Sequence, residues 1–249
     1  MKRFFLAALL FLGGCAQNVT KIESPPVLLF SFTVRGSIAL NPNVKYYLVL
    51  NASPNQSEGP TINGSYPYNR PNPGWDLPFY RDYDIDPGSS EPLRQTVWTD
   101  YYQLATEAGT PIMSHGSWPN PTETVRVPTI YTDVSRPQQG RDWDIRGGKT
   151  VTLTIPFSEL KGSGLYDAKT GKVNLSSLNI NLAISGINGA PIDFPTVSSN
   201  EYLTIPTREG ITEASNVFPV KKPENIPSGV DSADVNFASY RLEVKKIAP

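Results

Sequence analysis

Residues Thr150–Ile155 read TVTLTI, so that apolar side chains alternate strictly with threonines. The stretch Leu178–Ile184 reads LNINLAI and repeats this alternation. Because successive side chains of a strand point to opposite faces, both stretches are predicted to be half-buried β-strands. Six further strands are predicted where β-branched and aromatic residues lie between Pro, Gly and Asn residues. They are Leu28–Val34, Lys45–Asn51, Val97–Leu104, Thr124–Ile130, Glu201–Ile205 and Val235–Lys245.

The strands are not separated by helices. The longest helical element that we predict is one turn over Ser158–Lys161, with Ser158 as its N-cap and Gly162 as its end. Without crossover helices a parallel sheet is not expected. The predicted fold is therefore all-β, a single antiparallel β-sandwich of immunoglobulin-like or jelly-roll-like type. It carries a long loop rich in proline and aromatic residues over Ala52–Pro92. We prefer one domain to two domains divided near Gln138–Gly140, because such a division would leave each half with too few strands for a core.

Composition excludes several classes of function. The chain has 249 residues, with 22 Lys and Arg against 23 Asp and Glu, for a net charge of −1. A nucleic-acid-binding protein normally shows a basic face, so we expect no nucleic-acid partner. The single Cys and single His exclude a disulfide framework, a cysteine-based zinc site and a multi-histidine metal site. We therefore expect no cofactor and no metal.

The N-terminus has the pattern of an export signal. Lys2 and Arg3 precede a continuous apolar run over Phe4–Leu12. A short basic segment, a short apolar segment and small residues are typical of a secretory signal peptide. The run is far shorter than the roughly 20 residues that a membrane-spanning helix needs. Residues 12–15 read Leu-Gly-Gly-Cys and contain the only cysteine of the chain.

This tetrapeptide resembles the lipobox of bacterial lipoprotein precursors. The resemblance implies that Cys15 carries a diacylglyceryl group, that residues 1–14 are removed and that a palmitate-type acyl chain joins the new N-terminus. Two or more acyl chains form a stable membrane anchor. Residues 15–26 are then a tether and residues 27–249 the β-sandwich domain. Ala16 follows the cysteine where an aspartate would favour the inner membrane, so we expect an envelope location at the outer membrane or cell surface.

One proline-rich segment is a candidate binding site. Residues 66–80 read YPYNRPNPGWDLPFY and combine five aromatic residues with four prolines. Prolines reduce the entropy lost when a loop is ordered, and aromatic rings offer flat apolar faces. The segment is either a platform for a sugar ring or a partner's proline-rich strand, or a cap whose rings fold onto the core. Its candidate ligand-binding residues are Tyr66, Tyr68, Trp75, Phe79 and Tyr80.

Acidic residues allow two further sites. A glycoside hydrolase needs only a pair of carboxylates. Asp82, Asp84 and Asp86 alternate like the first ligands of an EF-hand, but Pro87 replaces the required Gly and Leu93 the required Glu, so an EF-hand is excluded. A looser calcium site and a solvated strand face remain alternatives for these aspartates. The acidic cluster comprises Asp82, Asp84, Asp86, Glu91 and Asp100.

Nucleophilic catalysis is not expected from the sequence. A serine triad needs a histidine as base, and His115 is the one available. Its neighbours Ser114 and Gly116 suggest an exposed loop rather than a nucleophile elbow.

The pattern Arg-Asp-aromatic-Asp-Ile-x-x-Gly, at residues 81–88 and again at 141–148, predicts two similar strand–turn units or an old duplication. Trp143, in the second copy, is predicted to lie in the core.

A second resemblance concerns residues 151–184. The passage from Val151 through Ile155-Pro156 to Leu160, followed by the strand Leu178–Ile184, resembles DOMON-like and family 9 carbohydrate-binding sandwiches. This resemblance implies binding of a sugar or of haem, and haem is disfavoured because few axial ligands are present. We therefore expect a lipid-anchored, non-catalytic protein with a binding or envelope-structural role, such as glycan binding or contact with another envelope protein. The alternative is a cell-envelope glycoside hydrolase that uses a carboxylate pair.

Overall fold

The structure, a computed structural model, describes residues 26–52, 59–60, 98–117, 135–160, 166–167, 170, 172–174, 176–186, 189–195, 202–207 and 214–246. Strands account for most of the regular structure in these ranges. They are β1 (Pro26–Val34), β2 (Val44–Asn51), β3 (Asp100–Glu107), β4 (Thr110–Ser117), β5 (Trp143–Arg146), β6 (Thr150–Pro156), β7 (Tyr166–Asp167), β8 (Lys172–Val173), β9 (Ser177–Gly186), β10 (Pro191–Asp193), β11 (Leu203–Pro206), β12 (Ala214–Val217) and β13 (Phe237–Lys246).

The strands form two principal antiparallel sheets that pack against each other. Sheet I has the order β12-β13-β1-β6-β5, and sheet II has the order β10-β9-β2-β3-β4, with β11 also paired to β9. The strands β7 and β8 make a separate pair. All pairings between these strands are antiparallel. The protein is therefore all-β, and the prediction of an antiparallel β-sandwich is confirmed.

The alternation of TVTLTI appears directly in the packing of sheet I. Val151, Leu153 and Ile155 are buried, while the threonines between them are half-buried on the other face. Their partners across the ladder on β1 are also apolar and buried, namely Phe32, Phe30 and Leu28. Each such side chain contributes about 1.5–3 kcal/mol through its removal from water. The alternation thus specifies the register, because a slip of one residue would turn this whole apolar set outward.

Sheet II departs from the predicted half-buried pattern. All eight residues from Leu178 to Ser185 in β9 are buried, on both faces of the strand. Other segments of the chain contact the outer face of this strand. Asn181 Nδ2 donates to the Pro60 carbonyl at 2.9 Å, and Asn179 Oδ1 accepts from Thr204 Oγ1 at 2.9 Å. Buried amides with such partners avoid the penalty of lost hydration. The half-buried prediction is therefore wrong for β9, since other parts of the chain cover its polar face.

A second apolar cluster lies on the outer face of sheet II. Tyr101 of β3 meets Trp98 edge to face, with ring centroids 5.9 Å apart. Both rings are buried, and Gly116 of β4 pairs directly with Tyr101. The ring of Tyr101 occupies the place that a Cβ on residue 116 would need. The buried members of the cluster are Tyr47, Val49, Trp98, Tyr101 and Ala183.

The predicted helical turn is present but begins differently. It is a short 3-10 turn over Phe157–Glu159, with Pro156 before it in extended conformation and no side-chain cap. Ser158 lies inside the turn, so its assignment as N-cap is wrong. The turn is held instead by Phe157, which is fully buried, and it places Ser158 and Glu159 on the surface.

Two predicted features of the second sequence copy are confirmed. Trp143 is buried in the core and Ile145 packs against that core. Gly147 and Gly148 both have positive φ angles, 57° and 70°, as a turn after the strand requires. The first copy, residues 81–88, lies outside the described residues. Within the described ranges, no helix has the length and apolar character needed to cross a membrane.

Candidate functional site

A pocket opens where one edge of sheet II meets one edge of sheet I. Its volume is about 550 Å³, within the range of roughly 300–1,000 Å³ that small-molecule sites occupy. Sheet II contributes Tyr102 and His115, and β6 of sheet I contributes Leu153 and Thr154. The segment that leads from β4 towards β5 and the turn after β6 supply the rim. The rim residues are Ser135, Arg136, Pro137, Arg141, Asp142, Ser158 and Glu159.

A buried carboxylate and imidazole lie at the sheet II side of this pocket. Asp100 is fully buried and His115 is 5% exposed. The distance from His115 Nε2 to Asp100 Oδ1 is 3.0 Å, and Thr99 Oγ1 donates to Asp100 Oδ2 at 2.7 Å. The other ring nitrogen, Nδ1, lies 3.4 Å from the hydroxyl oxygen of Ser135. Asp100, His115 and Ser135 therefore form one chain of polar contacts that runs from the interior to the pocket.

The expectation that His115 is an exposed loop residue is wrong. It lies in β4 with its side chain on the inner face, opposite Tyr102 of β3. The two strands are joined by Ala108 and Gly109, whose φ angles are 49° and 79°. Two-residue hairpin turns with positive φ usually contain Asn-Gly, Asp-Gly or Gly-Gly. Alanine at the first position gave no such signal, so the sequence did not predict β4.

Tyr102 holds the imidazole from one side. Its ring stacks on that of His115 with centroids 4.4 Å apart and an interplanar angle of 3°. Burial raises the pKa of the Tyr102 hydroxyl well above its ordinary value, and the charges of Asp100, Glu159 and Asp142 add to this rise. Among the described residues, its hydroxyl oxygen has no hydrogen-bond partner. Tyr102 is therefore a neutral, packed wall of the pocket.

The rim carries charges of both signs. Arg141 donates to Asp142 through two bonds of 2.8 Å, from Nε to Oδ1 and from the terminal nitrogen to Oδ2. This contact holds the pKa of Asp142 below its ordinary value. Arg136 lies 3.8 Å from Glu107 in an exposed pair, which contributes little to stability. The pocket is thus lined by two guanidinium groups, those of Arg136 and Arg141, and by two carboxylates, those of Asp142 and Glu159.

The structure tests few of the residues singled out from the sequence. Asp100 contacts the pocket residue His115, and it is the member of the acidic cluster that the structure describes. The predicted lipid-attachment residue Cys15 lies outside the described residues, as does the strand predicted over Thr124–Ile130. So do the platform residues and the other acidic residues, namely Tyr66, Tyr68, Trp75, Phe79, Tyr80, Asp82, Asp84, Asp86 and Glu91. The platform and calcium hypotheses therefore stay predictions.

One carboxyl group far from the rim has a strongly shifted pKa. Asp193 in β10 is 5% exposed, and its Oδ2 accepts a 2.7 Å hydrogen bond from the Phe237 backbone N–H. Burial raises its pKa to about 6, although hydrogen bonds from the Phe237 and Phe194 backbones and the charges of Lys221 and Arg35 act in the opposite direction. Asp193 is not among the described residues that line the pocket. We therefore expect its raised pKa to affect the stability of the fold rather than ligand binding.

The shift of Asp193 predicts a pH-dependent effect of Asp193→Asn. Between the unfolded pKa of 3.8 and the folded pKa of about 6, the native state binds the proton more tightly. The stabilisation from Asp193 is therefore complete below about pH 4 and is lost as pH rises through 6. The asparagine variant, which stays neutral, should be more stable than wild type by up to about 3 kcal/mol at pH 7.5.

Urea denaturation of both proteins at pH 7.5 and pH 4 measures this effect. The advantage of Asp193→Asn should nearly vanish at pH 4, because both proteins then carry a neutral group at this position in the folded state. An unchanged difference between the two proteins at both pH values would contradict the raised pKa.

The described residues bring together no group of three or more His, Cys, Asp or Glu side chains that could hold a metal ion. A comparison of the chain with protein-family models, with curated proteins and with solved structures found no match.

Proposed function

We propose that the chain is a lipid-anchored protein of the bacterial cell envelope whose β-sandwich binds a neutral, hydroxyl-rich ligand, such as a glycan, in the pocket between the sheet edges. The membrane contact is the lipid on Cys15, and the outer membrane or cell surface is the proposed location. The lipobox at residues 12–15 supports the anchor. The pocket supports the ligand class.

The balance of charges around the pocket is the observation that carries the ligand class. A guanidinium group only donates hydrogen bonds and a carboxylate only accepts them, while a sugar hydroxyl does both. Arg136 and Arg141 stand on the rim together with Asp142 and Glu159. An anionic ligand would meet the two carboxylates, and a cationic ligand would meet the two guanidinium groups. A neutral polyol can satisfy both kinds of group.

Hydroxyl and apolar groups complete a lining that suits a sugar. Ser135, Thr154 and Ser158 add side-chain hydroxyls, and Pro137 and Leu153 add apolar surface. Sites for small molecules combine apolar walls with a few placed polar groups. A volume of about 550 Å³ accommodates one or two sugar rings or the end of a longer glycan.

A glycoside hydrolase is the second candidate, because two carboxylates line the same pocket. Arg141 holds the pKa of Asp142 below its ordinary value, which suits a carboxylate that acts as base or nucleophile. The general acid of such enzymes needs a raised pKa, so Asp142 does not fit that role. Glu159 is the other carboxylate that lines the pocket, so in this candidate its loss would abolish glycan cleavage.

Glu159→Gln tests the binding proposal. The substitution keeps the size of the side chain and removes one acceptor charge from the rim. Hydrogen bonds to charged groups contribute about 1.5–3 kcal/mol, so glycan affinity should fall roughly 10-fold or more. The measurement is binding of the full purified chain to an array of envelope polysaccharide fragments, followed by calorimetry with the best fragment.

Glu224→Gln is the matched control, because Glu224 is exposed and does not line the pocket among the described residues. The glycan affinity of Glu224→Gln should equal that of wild type. The binding proposal fails if wild type binds no fragment, or if Glu159→Gln and Glu224→Gln bind alike. Release of shortened fragments by wild type, and their absence with Glu159→Gln, would favour the hydrolase.

A further inference from the structure

We propose that Ser135 is an activated nucleophile, with His115 as its base and Asp100 as a positioning residue, and that the pocket hydrolyses esters. The substrate class is an acyl ester of an alcohol; the choice of an O-acylated sugar as that alcohol rests on the proposed function. This inference goes beyond binding. It also replaces the expectation of a non-catalytic protein, for which the prediction of His115 in an exposed loop was one ground.

The contact with Asp100 favours one tautomer of the neutral imidazole. An ionised carboxylate only accepts hydrogen bonds, so the 3.0 Å contact to Asp100 Oδ1 requires a proton on His115 Nε2. In the neutral ring, Nδ1 then carries a lone pair and can act as a base. A buried carboxylate that orients a histidine towards a hydroxyl is the arrangement of a serine triad, with the roles of the two ring nitrogens exchanged here.

Ser135 is placed to use that base. Its Oγ lies 3.4 Å from His115 Nδ1, and such distances are often long in ligand-free sites. Two backbone hydrogen bonds of 2.9 Å between residues 115 and 135 hold the two side chains side by side. Ser135 is exposed and lines the pocket, whereas Asp100 is fully buried. The accessible end of the chain of contacts is therefore the hydroxyl.

Two further features suit the charges of the reaction. The ring of Tyr102 lies parallel to that of His115, and an aromatic face stabilises an adjacent cation. The guanidinium groups of Arg136 and Arg141 line the same pocket and can stabilise a developing oxyanion. Arg136 directly follows Ser135 in the chain.

The reaction balances without a cofactor. Ser135 Oγ attacks the ester carbonyl carbon while its proton passes to His115 Nδ1. The bond to the alcohol oxygen breaks, and His115 returns the proton to the departing alcohol. Water then attacks the acyl group on Ser135 and gives a proton to Nδ1. The carboxylic acid leaves, and that proton restores the Ser135 hydroxyl, so that one ester and one water become one acid and one alcohol.

A fluorophosphonate ester and p-nitrophenyl acetate are the test compounds, used on the full purified chain. Peptide mass spectrometry should find the phosphonyl adduct on Ser135. Ser135→Ala should lose the adduct and about 100-fold or more of the p-nitrophenyl acetate turnover. Ser232→Ala, at an exposed serine that is not among the described residues lining the pocket, should keep both within about twofold of wild type.

Asp100→Asn tests the positioning role. An amide that donates to Nε2 would move the ring proton to Nδ1 and remove the base, so kcat should fall roughly 100-fold while KM stays near the wild-type value. If this buried variant does not fold, the comparison of Ser135→Ala with Ser232→Ala decides.

Absence of an adduct on Ser135, or wild-type turnover by Ser135→Ala, overturns the proposal. An adduct on Ser135 without turnover of p-nitrophenyl acetate overturns the hydrolysis. Neither compound contains a sugar, so these outcomes do not depend on whether the pocket binds glycans.

Discussion

Gly116→Ala is expected to lower the free energy of unfolding by about 3 kcal/mol, the upper end of the usual cost of overpacking. The ring of Tyr101 occupies the space that the new Cβ would need. That ring cannot move freely, because it is buried and packs edge to face against Trp98. Displacement of β4 is the alternative, and it would disturb His115, the neighbouring residue, and its contact with Asp100. Chemical denaturation followed by circular dichroism measures the effect.

Gly186→Ala is the matched control in the same sheet. Gly186 ends β9, and the nearest atom to its added Cβ is the Ala190 carbonyl oxygen at 3.9 Å, an ordinary contact. This variant should stay within about 0.5 kcal/mol of wild type. Equal denaturation midpoints for the two variants would contradict the close approach of Tyr101 to Gly116.

Cys15→Ser is expected to abolish lipid labelling completely. If Cys15 is the lipidated residue, its thiol is the attachment point of the anchor, and the serine variant leaves no other cysteine in the chain. Without two or more acyl chains the protein should leave the membrane fraction, since each buried CH₂ contributes about 0.8 kcal/mol to membrane binding. Growth of the producing bacterium with radioactive palmitate, followed by membrane fractionation, gives both readouts.

Ala16→Ser is the control for this experiment, because it changes the adjacent residue and leaves the thiol in place. It should keep the label and the membrane association. The anchor proposal would fail if Cys15→Ser retained the wild-type label, or if the purified wild-type protein began at a residue other than Cys15.

Several strands could be predicted from the sequence because their signal is local. The alternation over Thr150–Ile155 and the apolar run in Leu28–Val34 predicted β6 and β1 within one or two residues. The strand predicted over Val97–Leu104 is β3, which instead covers Asp100–Glu107. Its position depends on pairing with β4, and the hairpin signal for β4 was weak because Ala108 occupies the first position of the turn.

The site could not be predicted in the same way. Asp100 belonged to a cluster of acidic residues that suggested a carboxylate pair, whereas its observed partner is His115 on the next strand. Ser135 joins them through a single bridge between backbones, with no motif around it. The burial of His115 depends on the opposite sheet, so the residues beside it in the chain do not predict it.

The sequence by itself determined that the described residues form strands, because their side chains alternate with a period of two residues. The lack of predicted helices between these strands favoured antiparallel pairing. Only the tertiary structure decided which polar groups meet. Asp100, His115 and Ser135 come together through ladder pairing, and the pocket beside them exists because the edges of two separate sheets face each other. These contacts join residues that are distant along the chain, so their geometry follows from the packing of the whole sandwich.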